Sequence, residues 1–245
     1  MPRFFVTSDK IDGDNISIIG DDAYHIARSL RMAVGDDLTV CDGEGGEYAC
    51  TLTKIRDEEC ICQINSRAKS ASEPPIYISL FMAFPKGDKL ETVVQKAVEL
   101  GASEIIPFES SRCIKKPKAE KVDKQTARLE KIAKEAAKQC GRSILPRVGQ
   151  PMSYGAMLER ANDADIALFC YEDETATSIK SAISDKKFST ISIIIGSEGG
   201  FSSDEARLAK ERGCVSVTLG PRILRCETAP AYALTAISYE TELAK

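Results

Sequence analysis

Hydrophobic and polar positions follow two rhythms along this chain. From residue 1 to about 70, short alternating runs are broken by turn signals: Ile16-Ser17-Ile18-Ile19, Asp37-Leu38-Thr39-Val40-Cys41, Tyr48-Ala49-Cys50-Thr51-Leu52 and Glu59-Cys60-Ile61-Cys62-Gln63-Ile64, with Asp42-Gly43 and Gly45-Gly46 among them. A period of two bounded by Gly and Asp marks half-buried strands joined by tight turns, which predicts a small β-barrel or sandwich. One helical interruption, residues 22–31, would put Arg28 and Arg31 one turn apart. Residues 67–75 are small and polar and end in Pro74-Pro75. They predict a linker at 71–75, between a first domain at 1–70 and a second at 76–245.

After Pro75 the pattern becomes strand then helix. Ile76 to Phe84 is an unbroken apolar run of strand length, and Leu90, Val93, Val94, Ala97 and Val98 recur at helical spacing before Gly101. Ser103 to Phe108 is the next strand, and a helix from about Val122 to Cys140 carries Leu129, Ile132, Ala133, Ala136 and Cys140 on one stripe. Strands recur at Ile166–Cys170, Ile191–Ile195 and Val215–Leu219, with helices between and a closing helix from about Ala229 to Leu243. This alternation predicts an α/β domain with a mainly parallel sheet and a ligand site outside the carboxyl ends of its strands.

Composition narrows the chemistry. The chain has 245 residues, and with no run of about 18 apolar residues and an opening that reaches charge at Arg3, the expectation is a cytoplasmic protein, neither secreted nor membrane-spanning. Nine cysteines, an odd number without a CxxC pair, are expected to be reduced thiols. With His25 as the single histidine, no sensible metal-ligand spacing exists and no metal is expected. A histidine-dependent hydrolase would rest on that one residue, which reads equally as an ordinary surface or core position.

The net charge of −4 argues against a polyanionic partner only as an average. Between Ser111 and Arg147, twelve Lys/Arg (Lys115, Lys116 and Lys118 among them) face four acids, a local +8 that leaves −12 for the rest. Such a run is either a solvated helix with ordinary ion pairs or a polyanion-binding face.

Two strand-to-helix loops stand out. Gly196-Ser197-Glu198-Gly199-Gly200-Phe201 follows an apolar strand and precedes Ser202 and Glu205 at capping-box spacing. It is no phosphate loop, because it lacks GxGxxG and GK[ST] and sets a carboxylate where a phosphate would be repelled. A neutral or cationic ligand suits it, and so does a plain packing turn. The second loop, Leu219-Gly220-Pro221-Arg222-Ile223-Leu224-Arg225-Cys226-Glu227-Thr228, holds two arginines three apart and leads to Pro230, which fits the first turn of a helix.

Together these loops resemble the last two motifs of the SPOUT methyltransferases, and specifically the family that methylates N3 of a uridine in 16S ribosomal RNA of the small subunit, near the decoding site. Further matches are Arg3-Phe4-Phe5, His25 to Arg31, Lys86-Gly87-Asp88-Lys89-Leu90-Glu91, Lys96 to Gly101, Ser111-Arg112-Cys113 and Glu135 to Arg142. The resemblance implies a PUA-like RNA-binding barrel, then a SPOUT domain with a deep trefoil knot, acting as a homodimer. It implies S-adenosylmethionine held by three loops, with contacts from Tyr171, Glu172, Gly196, Glu198, Gly199, Gly200, Leu219, Gly220, Ile223, Leu224, Arg225 and Thr228. Serine at 197 and cysteine at 226 depart from the family's usual proline and threonine. Arg225 is expected to stabilise a developing uracil anion and Glu198 to order the pocket. RNA contacts, mainly to phosphates, are expected from Arg28, Arg31, Arg112, Gln139 and Arg142. The alternatives are a SPOUT enzyme acting on transfer RNA, a non-catalytic RNA-binding assembly factor, and an ordinary doubly wound nucleotide enzyme.

Overall fold

The computed structural model describes residues 1–114 and 119–244, so Lys115, Lys116 and Lys118 of the basic run lie outside the described residues. The chain divides into two compact units, Met1–Glu73 with Ala137–Leu145, and Pro74–Ala136 with Pro146–Lys245.

The first unit is a curled sheet built from β1 (Arg3–Phe5), β2 (Ile11–Asp12), β3 (Asn15–Ile19), β4 (Asp37–Cys41), β5 (Gly46–Ile55) and β6 (Glu59–Lys69), in the order β1-β4-β5-β6-β3-β2. All neighbours are antiparallel except β1 and β4. Register shifts at Ala49/Cys50 and Leu52/Lys54 interrupt the long β5–β6 ladder, and such bulges bend a sheet over its own face. The inward positions of the alternating runs, Ile16, Ile18, Leu38, Val40, Cys50, Leu52, Cys60 and Cys62, form the core with Phe4 and Ile26. All nine cysteines of the chain are free thiols.

The helix expected over 22–31 is shorter than its pattern suggests. A short α1 (Asp21–Tyr24) runs into a wider turn at His25–Ser29, and Arg31 stands beyond it at φ +52°. Arg28 and Arg31 are therefore not stacked on one helical face.

Residues 137–145 return to this unit through polar contacts. Lys138 Nζ lies 2.7 Å from Asp22 and 5.6 Å above the Phe4 ring. Glu73 accepts from Arg142 Nε at 3.0 Å and Nη2 at 2.9 Å, and from the N–H groups of Ser143 and Ile144 at 2.8 and 3.0 Å. Arg142 is only 3% exposed. Its guanidinium is thus enclosed and satisfied within the unit, which corrects its assignment as an RNA contact.

The second unit holds β7 (Tyr77–Ala83), α2 (Lys89–Glu99), β8 (Glu104–Glu109), α3 (Val122–Cys140, whose last turn counts with the first unit), β9 (Arg147–Val148), β10 (Met152–Ser153), α4 (Tyr154–Ala161), β11 (Ile166–Cys170), α5 (Ile179–Ile183), β12 (Thr190–Ile195), α6 (Ser203–Glu211), β13 (Val215–Val217) and α7 (Ala229–Ser238). Its sheet is parallel throughout, in the order β10-β8-β7-β12-β11-β13 with β9 on β8. The apolar runs of β7 and β12, each interrupted by one serine, are its central strands: Ile191 to Ile195 are all buried, Ser192 included, as a strand between helix layers requires. Strand β13 stops two residues before the expected Leu219, because Thr218 leaves the ladder and donates its N–H to Thr177 at 2.8 Å. Among the described residues no helix is long and apolar enough to cross a membrane.

Candidate functional site

Parallel register brings four strand ends level: Met82 of β7 and Cys170 of β11 both pair with Ile195 of β12, and Cys170 also pairs with Val217 of β13. The loops leaving these ends enclose a cavity of about 540 Å³, a volume in the range of small-molecule and cofactor sites.

The glycine loop forms one wall. A turn closes from the Gly200 N–H to the Ser197 carbonyl at 2.9 Å, with Gly200 at φ +62°. The left-handed backbone at Gly200 favours glycine, and a Cβ there would fall 1.8 Å from Glu172 Oε1, so the carboxylate would have to move aside. Glu172 in turn accepts the Phe201 N–H at 3.2 Å. Phe201 is buried, with its ring centroid 4.2 Å from that of Phe169, and pins the end of the loop to the core.

Beyond it the expected capping box is formed, Ser202 and Glu205 each taking the other's backbone N–H. Glu205 also accepts from the Ser111 N–H and hydroxyl, both at 2.7 Å. This bond carries Arg112 to the glycine loop, where its guanidinium donates to the Gly199 carbonyl at 2.9 Å and stands 3.8 Å from Glu172.

The opposite wall is the arginine loop, tied to the first by charge. Glu198 accepts the Lys86 N–H at 3.0 Å and the Lys89 ammonium at 3.0 Å, and Lys89 also reaches Glu227 at 3.2 Å and Cys226 Sγ at 3.9 Å. Burial alone would raise the Glu198 pKa, but its own N–H, Lys89 and the Lys86 N–H outweigh it and hold the carboxyl down at about 2. Burial, then Glu227, push the Cys226 thiol up to about 12, so it stays protonated and unreactive at neutral pH.

Of the residues expected to hold a cofactor, Tyr171, Glu172, Gly196, Glu198, Gly199, Gly200, Leu219, Gly220, Ile223, Leu224 and Arg225 all line this cavity. Thr228 does not line it; it precedes α7, and its N–H bonds the Arg225 carbonyl at 2.8 Å. Sequence reasoning passed over Lys89 and Cys170 as cavity residues, and named Arg222 only as one of two arginines in its loop; all three also line the cavity. Lys89 had a signal, since it sits in the Lys86-to-Glu91 motif, but its partners lie more than a hundred residues away. Arg225 and Arg222 are exposed and pair with no carboxylate among the described residues. In the first unit Arg28 is exposed and donates through Nε to Asp57 at 2.9 Å, and Arg31, Gln139 and His25 are exposed.

Comparison with known proteins places this geometry. Residues 72–238 match the family described as RNA methyltransferase domain, and residues 18–65 match the RNA methyltransferase PUA domain. The chain is 39% identical to ribosomal RNA small subunit methyltransferase E of Bacillus subtilis, covering 99% of this chain and 98% of that protein. It is 30% identical to the protein of the same name from Synechocystis, over 96% of this chain and 77% of that one. Among solved structures, the ribosomal RNA small subunit methyltransferase E of Neisseria gonorrhoeae bound to S-adenosyl methionine superposes with a TM-score of 0.86 at 29% identity, covering 98% of both chains. The chain belongs to this family of SPOUT-type RNA methyltransferases with a PUA-like domain.

Proposed function

We propose that this chain, in the cytoplasm and as a homodimer with a trefoil knot, methylates N3 of a uridine of 16S ribosomal RNA near the decoding site of the small subunit, using S-adenosylmethionine. The observation that carries the reading is the cavity at the carboxyl ends of β7, β11 and β12, walled by a glycine loop that sets a carboxylate, Glu198, where a phosphate loop offers donors. The residues fit the cofactor. Glu172 and Glu198 place carboxylates on the cavity wall for a cationic group, beside Lys89, Arg222 and Arg225, while Ile195, Leu219 and Leu224 supply apolar wall.

When bound, S-adenosylmethionine supplies an electrophilic methyl on a positive sulfonium. The chain's own work is then positioning and charge. Tyr171, Glu172, the Gly196–Gly200 loop and the Leu219–Arg225 loop hold the cofactor. Glu198 is already occupied by Lys86 and Lys89, so it orders the loop and takes no proton. Arg225, exposed on the cavity and without a carboxylate partner among the described residues, stabilises uracil as N3 loses its proton. The base must be unpaired or flipped to present N3. Arg28 and Arg31 on the barrel, Gln139, and Arg112 beside the glycine loop contact RNA, with Lys121 in the turn just before α3 and Lys124 and Lys131 on the exposed face of α3 adding phosphate attraction.

The test is incubation of small subunits lacking the modification with the protein and labelled S-adenosylmethionine, followed by mass-spectrometric mapping. A single methyl at uridine N3 in 16S RNA is expected. No transfer, or transfer to transfer RNA instead, overturns the reading.

A further inference from the structure

We infer that Lys89 is the positioning residue that holds the glycine loop and the arginine loop at their working separation, acting through Glu198 and Glu227. This inference rests on the function proposed above and names a residue that function does not require.

An ammonium has three N–H donors. Lys89 faces three acceptors, Glu198 Oε1 at 3.0 Å, Glu227 Oε2 at 3.2 Å and Cys226 Sγ at 3.9 Å. Although Lys89 borders the cavity, its charge is therefore balanced inside the protein by two carboxylates. Its two carboxylate partners come from different loops, one beside Gly199 and the other two residues after Arg225. Lys89 itself stands on the first turn of α2, whose Leu90, Val93, Val94, Ala97 and Val98 are buried. The helix is therefore a fixed post, and the ammonium ties both walls to it.

Removing that charge has a specific consequence. Glu198 keeps the Lys86 N–H, but Glu227 then faces it with no cation between them, and like charges drive the two loops apart. The three charges sum to −1, which keeps the rim attractive to a cationic cofactor. A bare pair of carboxylates would make the rim more negative while spoiling its geometry, so electrostatic attraction and shape predict opposite effects on binding.

The test uses the full chain and four variants: Lys89→Met, which keeps the apolar stem, Lys89→Arg, Glu227→Gln, and Lys89→Met with Glu227→Gln. Calorimetry with S-adenosylmethionine and single-turnover methyl transfer are read for each, with circular dichroism to confirm folding. Lys89→Met should weaken cofactor binding about tenfold and slow transfer at saturating cofactor as well, because both walls move. Lys89→Arg should recover most of both. Adding Glu227→Gln to Lys89→Met should recover binding at least partly, which loss of a merely structural lysine would not do. Binding and transfer by Lys89→Met within twofold of wild type, or no recovery in the double variant, overturns the inference while the proposed function stands. A wild-type chain that fails to bind S-adenosylmethionine removes both.

Discussion

Two basic, glycine-broken segments use their arginines in opposite ways. In residues 137–145 the charges are consumed: Lys138 on Asp22, and Arg142, almost wholly enclosed, on Glu73. In residues 219–228 they are on offer: Arg222 and Arg225 are exposed and unpaired among the described residues, and Ile223 between them is 84% exposed. The sequence gives both segments the same appearance. What separates them is whether the fold brings a carboxylate to the guanidinium, and a buried arginine without one would be too costly to keep. Charge density along a chain thus measures what a segment carries, and burial decides what it can lend.

The contrast breaks most severely at Glu73. Glu73→Ala takes the carboxylate away from a buried guanidinium and from two backbone N–H groups, and denaturant unfolding should show a loss of about 3–5 kcal/mol. Arg225→Ala should behave inversely, with stability within about 0.5 kcal/mol of wild type. Its transfer rate at saturating cofactor and RNA should fall about a hundredfold, the usual scale for loss of one charge-stabilising group. Unchanged turnover would mean that the open arginine is idle.

A smaller effect is expected at Gly200. Gly200→Ala puts a side chain on a left-handed backbone, a strain of about 1–3 kcal/mol, and displaces the Glu172 carboxylate from the glycine loop. Calorimetry should report weaker cofactor binding, with the remainder of the fold intact.

Smaller again is the effect of pH. The Glu198 carboxyl, held at about 2 in the fold against about 4.3 when free, lends stability that is complete above pH 5 and is lost as pH falls through 4 toward 2. Cofactor affinity followed downward from pH 6 should therefore show no step from Glu198 near the free value of about 4.3. A Glu198-dependent step there, absent in Glu198→Gln, would mean that the carboxylate is free to titrate and that its bonds to Lys86 and Lys89 are not kept in solution.

What the sequence made legible was whatever it encodes locally. β12 is an apolar run because a central parallel strand is buried on both faces, and the Ser202–Glu205 capping box is formed because its two partners are three residues apart. The cavity loops could be found because a parallel sheet places its site at strand ends, so Gly196–Gly200 and Leu219–Arg225 were adjacent by topology. The illegible parts depend on distant partners. The return of 137–145 to the barrel rests on bonds to Asp22 and Glu73, and Lys89 acquires its role from residues 198 and 227. Strand β1 has three residues, too few to display a period, and it is recognised only through its parallel pairing with β4. The early end of the helix at 22–31 depends on a wider turn at His25–Ser29 that a heptad-like apolar count does not register.

Arg28 is the intermediate case, and the smallest effect belongs to it. It is exposed like Arg225 yet paired like Arg142, with Asp57 across an open surface where such a bond contributes little to stability. Arg28→Ala should leave the thermal midpoint unmoved, weaken RNA binding a few-fold and lower the salt dependence by about one phosphate contact. Asp57→Asn should do the reverse, because a phosphate no longer competes with a carboxylate for the same guanidinium. Opposite shifts from the two variants, measured by filter binding across salt concentrations, place Arg28 with the arginines on offer. Shifts in the same direction would show that Arg28 needs Asp57 to hold its place, which would put the barrel's surface with residues 137–145, where charge serves the fold first.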